Sequence, residues 1–163
     1  MKFSKPHLYL LCVLIMTSCL NIDIKSNETQ DKTAFLKTLN THLDAVVNRD
    51  IETLKTTLHP NGKMQLILPK EAMRTTVEEF VKYHDDWFKL DYEWSFKTKV
   101  LNYKVGSKLG MAVVEVLYEE PLRNGKPYYN KMLVSYDLEK TNGSWYFVKD
   151  HASSVEKSTD KKQ

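Results

Sequence analysis

Apolar positions change their spacing along this chain, and each change marks an element. From Leu8 to Met16 they run nearly unbroken, behind a basic start at Lys2 and Lys5 and ahead of the small pair Thr17-Ser18. That run is about half of what a membrane-spanning helix needs, so residues 1–18 read as a signal peptide. Residues 19–32 are polar and aperiodic, as expected of a flexible tether. From Phe35 onward, Leu36, Leu39, Leu43, Val46 and Val47 recur at steps of three and four, which predicts a first helix. Asp50 suits the N-cap of a short second helix with Ile51, Leu54 and Leu58 inside, and His59-Pro60-Asn61-Gly62 ends it. Lys63 to Leu68 predicts a short strand. Thr75 and Thr76 ahead of Glu78 and Glu79 give two overlapping capping boxes for a third helix, whose inner row is Val77, Phe80, Val81, His84, Trp87 and Phe88.

Beyond Asp91 the period drops to two. Trp94, Phe96 and Thr98 alternate with Glu93, Ser95, Lys97 and Lys99. Three further runs follow: Met111 to Glu119, Tyr128 to Leu138 and Ser144 to Ser153, turned by Asn124-Gly125 and Asn142-Gly143. The fold class is therefore α+β, with three helices on one face of a curved antiparallel sheet that lacks crossover helices. Residues 156–163 read as a disordered tail, which leaves one domain over 33–155.

Composition narrows the function classes. The chain has 163 residues and a formal charge of +3, which falls to +1 once Lys2 and Lys5 leave with the signal. No concentrated basic face remains, so a nucleic-acid partner is not expected. Cys12 lies in the signal core and Cys19 at its end, so the domain has no thiol for a disulfide or a metal. HExxH, CxxC, a glycine-rich phosphate loop and a nucleophile elbow are all missing, and no metal or cofactor is implied.

Two resemblances extend this reading. The apolar run stopping at Cys19 resembles the lipobox of bacterial lipoproteins, with Met16 in place of the usual Leu. It implies that Cys19 is acylated, palmitate included, and that the exported chain is held on the periplasmic or cell-surface side of a bacterial membrane. The segments Asn48-Arg49-Asp50-Ile51-Glu52-Thr53-Leu54, Leu58-His59-Pro60 and Gly143 to Ser153 resemble the nuclear transport factor 2-like superfamily in its SnoaL-like branch. That resemblance implies a cone: a strongly bent sheet wrapped around helices, with a pocket at its open end. Members include ketosteroid isomerase-like and polyketide cyclase-like enzymes as well as binding and interaction domains.

Candidate chemistry follows from parity. In a regular strand Trp145, Phe147, Lys149, His151 and Ser153 share a face, which makes His151 the first candidate for acid–base work. Asp150 would point the other way. His84, on the inner row of the third helix, is the second candidate, against the plainer reading of a core histidine tied to a backbone carbonyl. Tyr118 follows Ala112, Val114 and Val116 in parity, and Tyr136 follows Met132 and Val134, so both phenols are expected inside. Tyr83, Trp87, Trp94 and Ser153 complete the expected pocket. Glu93 and Glu115 fall on the outer parity, leaving no clear inward carboxylate.

The outer parity also carries Met111, Val113, Leu117 and Leu133, an apolar patch that predicts a homodimer. The expected function is a tethered domain binding a small, largely apolar molecule. Two alternatives stand beside it: an isomerase, dehydratase or cyclase using His151, and a dimeric interaction module without activity.

Overall fold

In the computed structural model the described residues are 7–160, with side chains from Asn27 onward; Cys19 and the signal segment therefore lie outside the described side chains. The first helix, α1 (His7–Val47), buries Phe35, Leu39, Leu43 and Val46 on one stripe, with His42 among them. It passes through the stretch expected as a tether. Asp31 and Lys32 tie that part of the helix to the sheet: Asp31 forms an ion pair with Lys140, and the Lys32 ammonium lies 5.3 Å from the Tyr103 ring centre.

Arg49 turns the chain out of α1 with a left-handed φ of 57°, and Asp50 then caps α2 (Ile51–Thr56), accepting from the Thr53 N–H at 2.9 Å. After β1 (Lys63–Ile67) and the three-residue β2 (Arg74–Thr76), Thr76 and Glu79 form a reciprocal capping box at the start of α3 (Val77–Phe88). Of the two overlapping boxes, the second is used. The helix buries Phe80, His84 and Phe88.

The long strands β3 (Ser95–Val105), β4 (Leu109–Arg123), β5 (Lys126–Thr141) and β6 (Ser144–Lys157) form an antiparallel meander. Asn124-Gly125 and Asn142-Gly143 turn two of its hairpins with all four residues at positive φ, the backbone that two-residue hairpins require. The sheet has six strands in the order β2-β1-β6-β5-β4-β3.

Two features differ from the expectation. β2 is too short to show a period, and β1 pairs with β6 in parallel, so the sheet is mostly rather than wholly antiparallel. The rest of the chain separates β1 from β6, which is the long connection that a parallel pair needs. Among the described residues, no helix is long and apolar enough to cross a membrane.

Candidate functional site

Strand β6 decides what the cavity contains. Trp145 and Phe147 point inward as expected, with exposures of 2% and 0%. Leu138 then pairs with Phe147 and Asp137 with Lys149, so Val148 is an extra residue with no partner of its own. This β-bulge resets the alternation. Beyond it Asp150 and Ala152 are buried, whereas His151 and Ser153 are exposed on the outer face opposite Ser135 and Leu133.

The placements of His151 and Ser153 in the pocket are thereby corrected, and so is the absence of an inward carboxylate. An unbroken alternation carries its own warning. It puts Lys149 inside, between Phe147 and His151, where an unpaired ammonium is costly; Lys149 instead pairs outside with Asp137 at 2.5 Å.

Asp150 stands in the wall of a cavity of about 360 Å³ between α3 and the inner face of the sheet. Its carboxylate makes no hydrogen bond to the described protein, and burial alone pushes its pKa up from 3.8 to about 7. Tyr136, its partner across the β5–β6 ladder, is 2% exposed, and its phenol is held well above its ordinary pKa by burial first and by the Asp150 charge second. Tyr83 reaches the cavity from α3. Burial, then the Glu71 charge, pushes it up to about 12, and the Asp150 charge adds to the shift. Both phenols are therefore donors at neutral pH.

His84 also lines the cavity, and its Nδ1 donates to the Phe80 carbonyl at 2.9 Å. Burial lowers its pKa to about 4, so it is neutral with Nε2 as an acceptor. The carbonyl tie and the place in the cavity wall thus occur together.

Trp87, Tyr118 and Tyr136 lie in the same wall. Trp94 does not: it stacks behind Trp87 at 4.5 Å, with the Arg49 guanidinium 4.1 Å from its ring centre. Its expected place in the pocket is corrected, because Trp87 fills the position in front of it.

Glu120 is a second inward carboxylate, two residues past Tyr118 in the same row and legible by the same parity. It is 3% exposed and accepts from the Tyr118 hydroxyl at 2.6 Å and from Arg123 Nε at 2.7 Å. The Arg123 bond, then that of Tyr118, holds its pKa below the usual range against burial. Glu120 is thus committed as an anion, whereas Asp150 is unpaired.

Helices packed over a sheet, with polar groups gathered in the cavity between them, are matched by a family model. The model for a SnoaL-like domain matches residues 35–156. The chain belongs to the SnoaL-like family.

Solved structures share its fold at low identity. A hexachlorocyclohexane dehydrochlorinase superposes with a TM-score of 0.70 at 14% identity, covering 82% of this chain and 91% of that one. A putative dehydratase of the NTF2-like family from Streptomyces avermitilis gives 0.65 at 14% identity, over 77% and 97%. The association domain of C. elegans CaMKII gives 0.58 at 22% identity, over 77% and 97%. Comparison with curated protein sequences finds no match. This SnoaL-like domain therefore shares a scaffold with proteins named as enzymes and with one named for association, and its own chemistry must be argued from its cavity.

Proposed function

We propose that this SnoaL-like domain binds a small, largely apolar molecule and moves a proton on it, with Asp150 as the base. The observation that carries this reading is a buried carboxylate in a cavity wall, without a hydrogen-bond partner among the described residues and raised to about 7. A base works best when its pKa lies near the working pH, and a desolvated carboxylate is a stronger base than one in water. Tyr83 and Tyr136 supply donors for charge that develops on the substrate, and the apolar side chains of Leu66, Val134 and Trp87 supply the binding surface. A dehydratase and a dehydrochlorinase named among the neighbours support the class, since both reactions remove a proton from carbon.

The test is the protonation state of Asp150. Infrared difference spectra across a pH titration should show a buried carboxylic acid that ionises near pH 7. A midpoint below about 5, the range of an ordinary carboxylate, overturns the reading.

We also propose that the outer face of the sheet pairs two copies. Met111 and Leu133 are 45% and 39% exposed there, with Val113 and Leu117 half-buried beside them. Val113→Lys should convert a dimer to a monomer on size-exclusion chromatography, because it would bury an unpaired charge. A wild-type protein that already elutes as a monomer refutes it.

A third proposal, supported by sequence layout, is acylation of Cys19 after export. The wild type should partition into detergent and Cys19→Ala should not, since stable anchoring takes two acyl chains or equivalent signals. Equal partitioning of the two overturns it.

A further inference from the structure

The cavity has a second polar end, and the strand register shows how far it lies from the first. Along β6 the inward residues after Asp150 are Ala152 and Ser154, and Lys157 lies in the same cavity wall beyond them. Each has a cross-strand partner on β5: Tyr136 for Asp150, Val134 for Ala152, Met132 for Ser154 and Asn130 for Lys157. The row of Asp150 and Tyr136 is acidic and phenolic. The next two rows present mainly hydrocarbon, backed on β4 by Val114 and Val116. The last row is polar and basic, with Arg123 joining it from the β4–β5 hairpin. At the rise of an extended strand, the Cα atoms of Asp150 and Lys157 stand roughly 20 Å apart.

The outer row is equipped but not satisfied. The Lys157 ammonium has no ion-pair or hydrogen-bond partner among the described residues. Arg123 lies with Cζ 3.5 Å from the Tyr128 ring centre, and it spends Nε and Nη2 on Glu120, leaving Nη1 without a partner among the described residues. Asn130 Oδ1, and Ser154 Oγ one row further in, are buried without partners among the described residues; the hydroxyl can donate to an anion, whereas the amide oxygen only accepts. Glu120 already balances Arg123, so the cation in this row without an ion pair among the described residues is the Lys157 ammonium, although the Asp160 carboxylate accepts from the Lys157 N–H at 2.7 Å. One such cation with the Ser154 hydroxyl beside it matches a monoanion better than a phosphate dianion.

We propose that the ligand is an elongated apolar monocarboxylate, its carboxylate held by Lys157, Arg123 Nη1 and the Ser154 hydroxyl, and its far end delivered to Asp150. The proposal rests on the reading of Asp150 as the reacting group. It adds which way round the ligand lies: the carboxylate is attracted at the mouth and repelled at depth by ionised Asp150, while the hydrocarbon rows between suit an unbranched or ring body.

The test uses decanoate, decanol and decylamine, titrated against the intact domain at about pH 8, where Asp150 is mostly ionised, and followed by the fluorescence of Trp87 in the cavity wall. Decanoate should bind about tenfold or more tightly than decanol, which is one charge-assisted contact. Lys157→Gln should erase that preference, and Lys157→Arg should restore most of it. Equal affinity for decanoate and decanol overturns the proposal. So does tighter binding of decylamine, which would mean that Asp150 anchors a cation. The two readings fail separately: a Lys157-dependent preference for decanoate with an ordinary Asp150 titration removes the proton transfer and leaves the carboxylate subsite standing. A titration near neutrality with no preference among the probes removes the subsite alone.

Discussion

Replacing Asp150 by Asn should make the domain more stable at alkaline pH and remove its capacity to abstract a proton. The carboxyl group is raised from 3.8 to about 7 by burial. Well below pH 3.8 it is protonated whether the chain is folded or not, and burial of the neutral acid adds no pH dependence. As pH rises from 3.8 toward 7 the unfolded chain releases this proton and the folded one keeps it, so stability falls across that window. The loss is on the order of 2–4 kcal/mol by about pH 8, and the neutral amide of Asn escapes it. Melting temperature should therefore rise by roughly 5–10 °C at about pH 8 and change little at about pH 4. His84 acts in the opposite sense: below 6.5 the unfolded chain takes up a proton that the buried ring refuses until about 4. That acid-side loss should persist in the variant. Activity moves the other way from stability. With nitrobenzisoxazole, an apolar probe whose ring opens when a base removes its C–H proton, the wild type should show a rate rising through about pH 7, and Asp150→Asn should lose about 10²–10⁴-fold. A variant that keeps the rate, or gains no stability at about pH 8, removes Asp150 from the role.

What the sequence reveals depends on how local each cause is. The Asp50 cap, the Thr76–Glu79 box and the two Asn-Gly hairpins are written within four residues of themselves, and all are in the structure. Strand parity is legible wherever a strand is regular, which is why Tyr118 and Tyr136 fall inside as the alternation requires. The bulge at Val148 is of another kind. It exists only in the pairing of β6 with Asp137 and Leu138 of β5, two elements whose mutual register no local pattern encodes. One extra residue exchanges His151 for Asp150, and with it an imidazole for a desolvated carboxylate. The parallel pairing of β1 with β6, which places Leu66 beside Asp150, is non-local for the same reason.

The inward phase of β6 is set by Phe147, and truncating this side chain should be severely destabilising. Phe147 is fully buried, its ring lies 3.7 Å from that of His42 and meets Tyr136 edge-on at 5.3 Å, and its N–H donates to the Thr57 carbonyl at 2.9 Å. It stands immediately before the bulge, so it locks the strand to the core at the point where the alternation is reset. Phe147→Ala should cost about 3–5 kcal/mol, because surroundings so tightly filled by rings relax only in part around the void. That is a large share of a typical total of about 5–15 kcal/mol, and the melting temperature should fall by roughly 10 °C or more. Tyr136, which faces both Phe147 and Asp150, then loses one of its walls, so the Asp150 titration should broaden or shift in any folded remainder. His151→Ala is the counterpart. An exposed residue on the outer face should change stability by no more than about 0.5 kcal/mol and leave nitrobenzisoxazole turnover intact. If His151→Ala proves as costly as Phe147→Ala, or abolishes turnover, β6 runs through Val148 without a bulge and the cavity holds the imidazole instead of the acid.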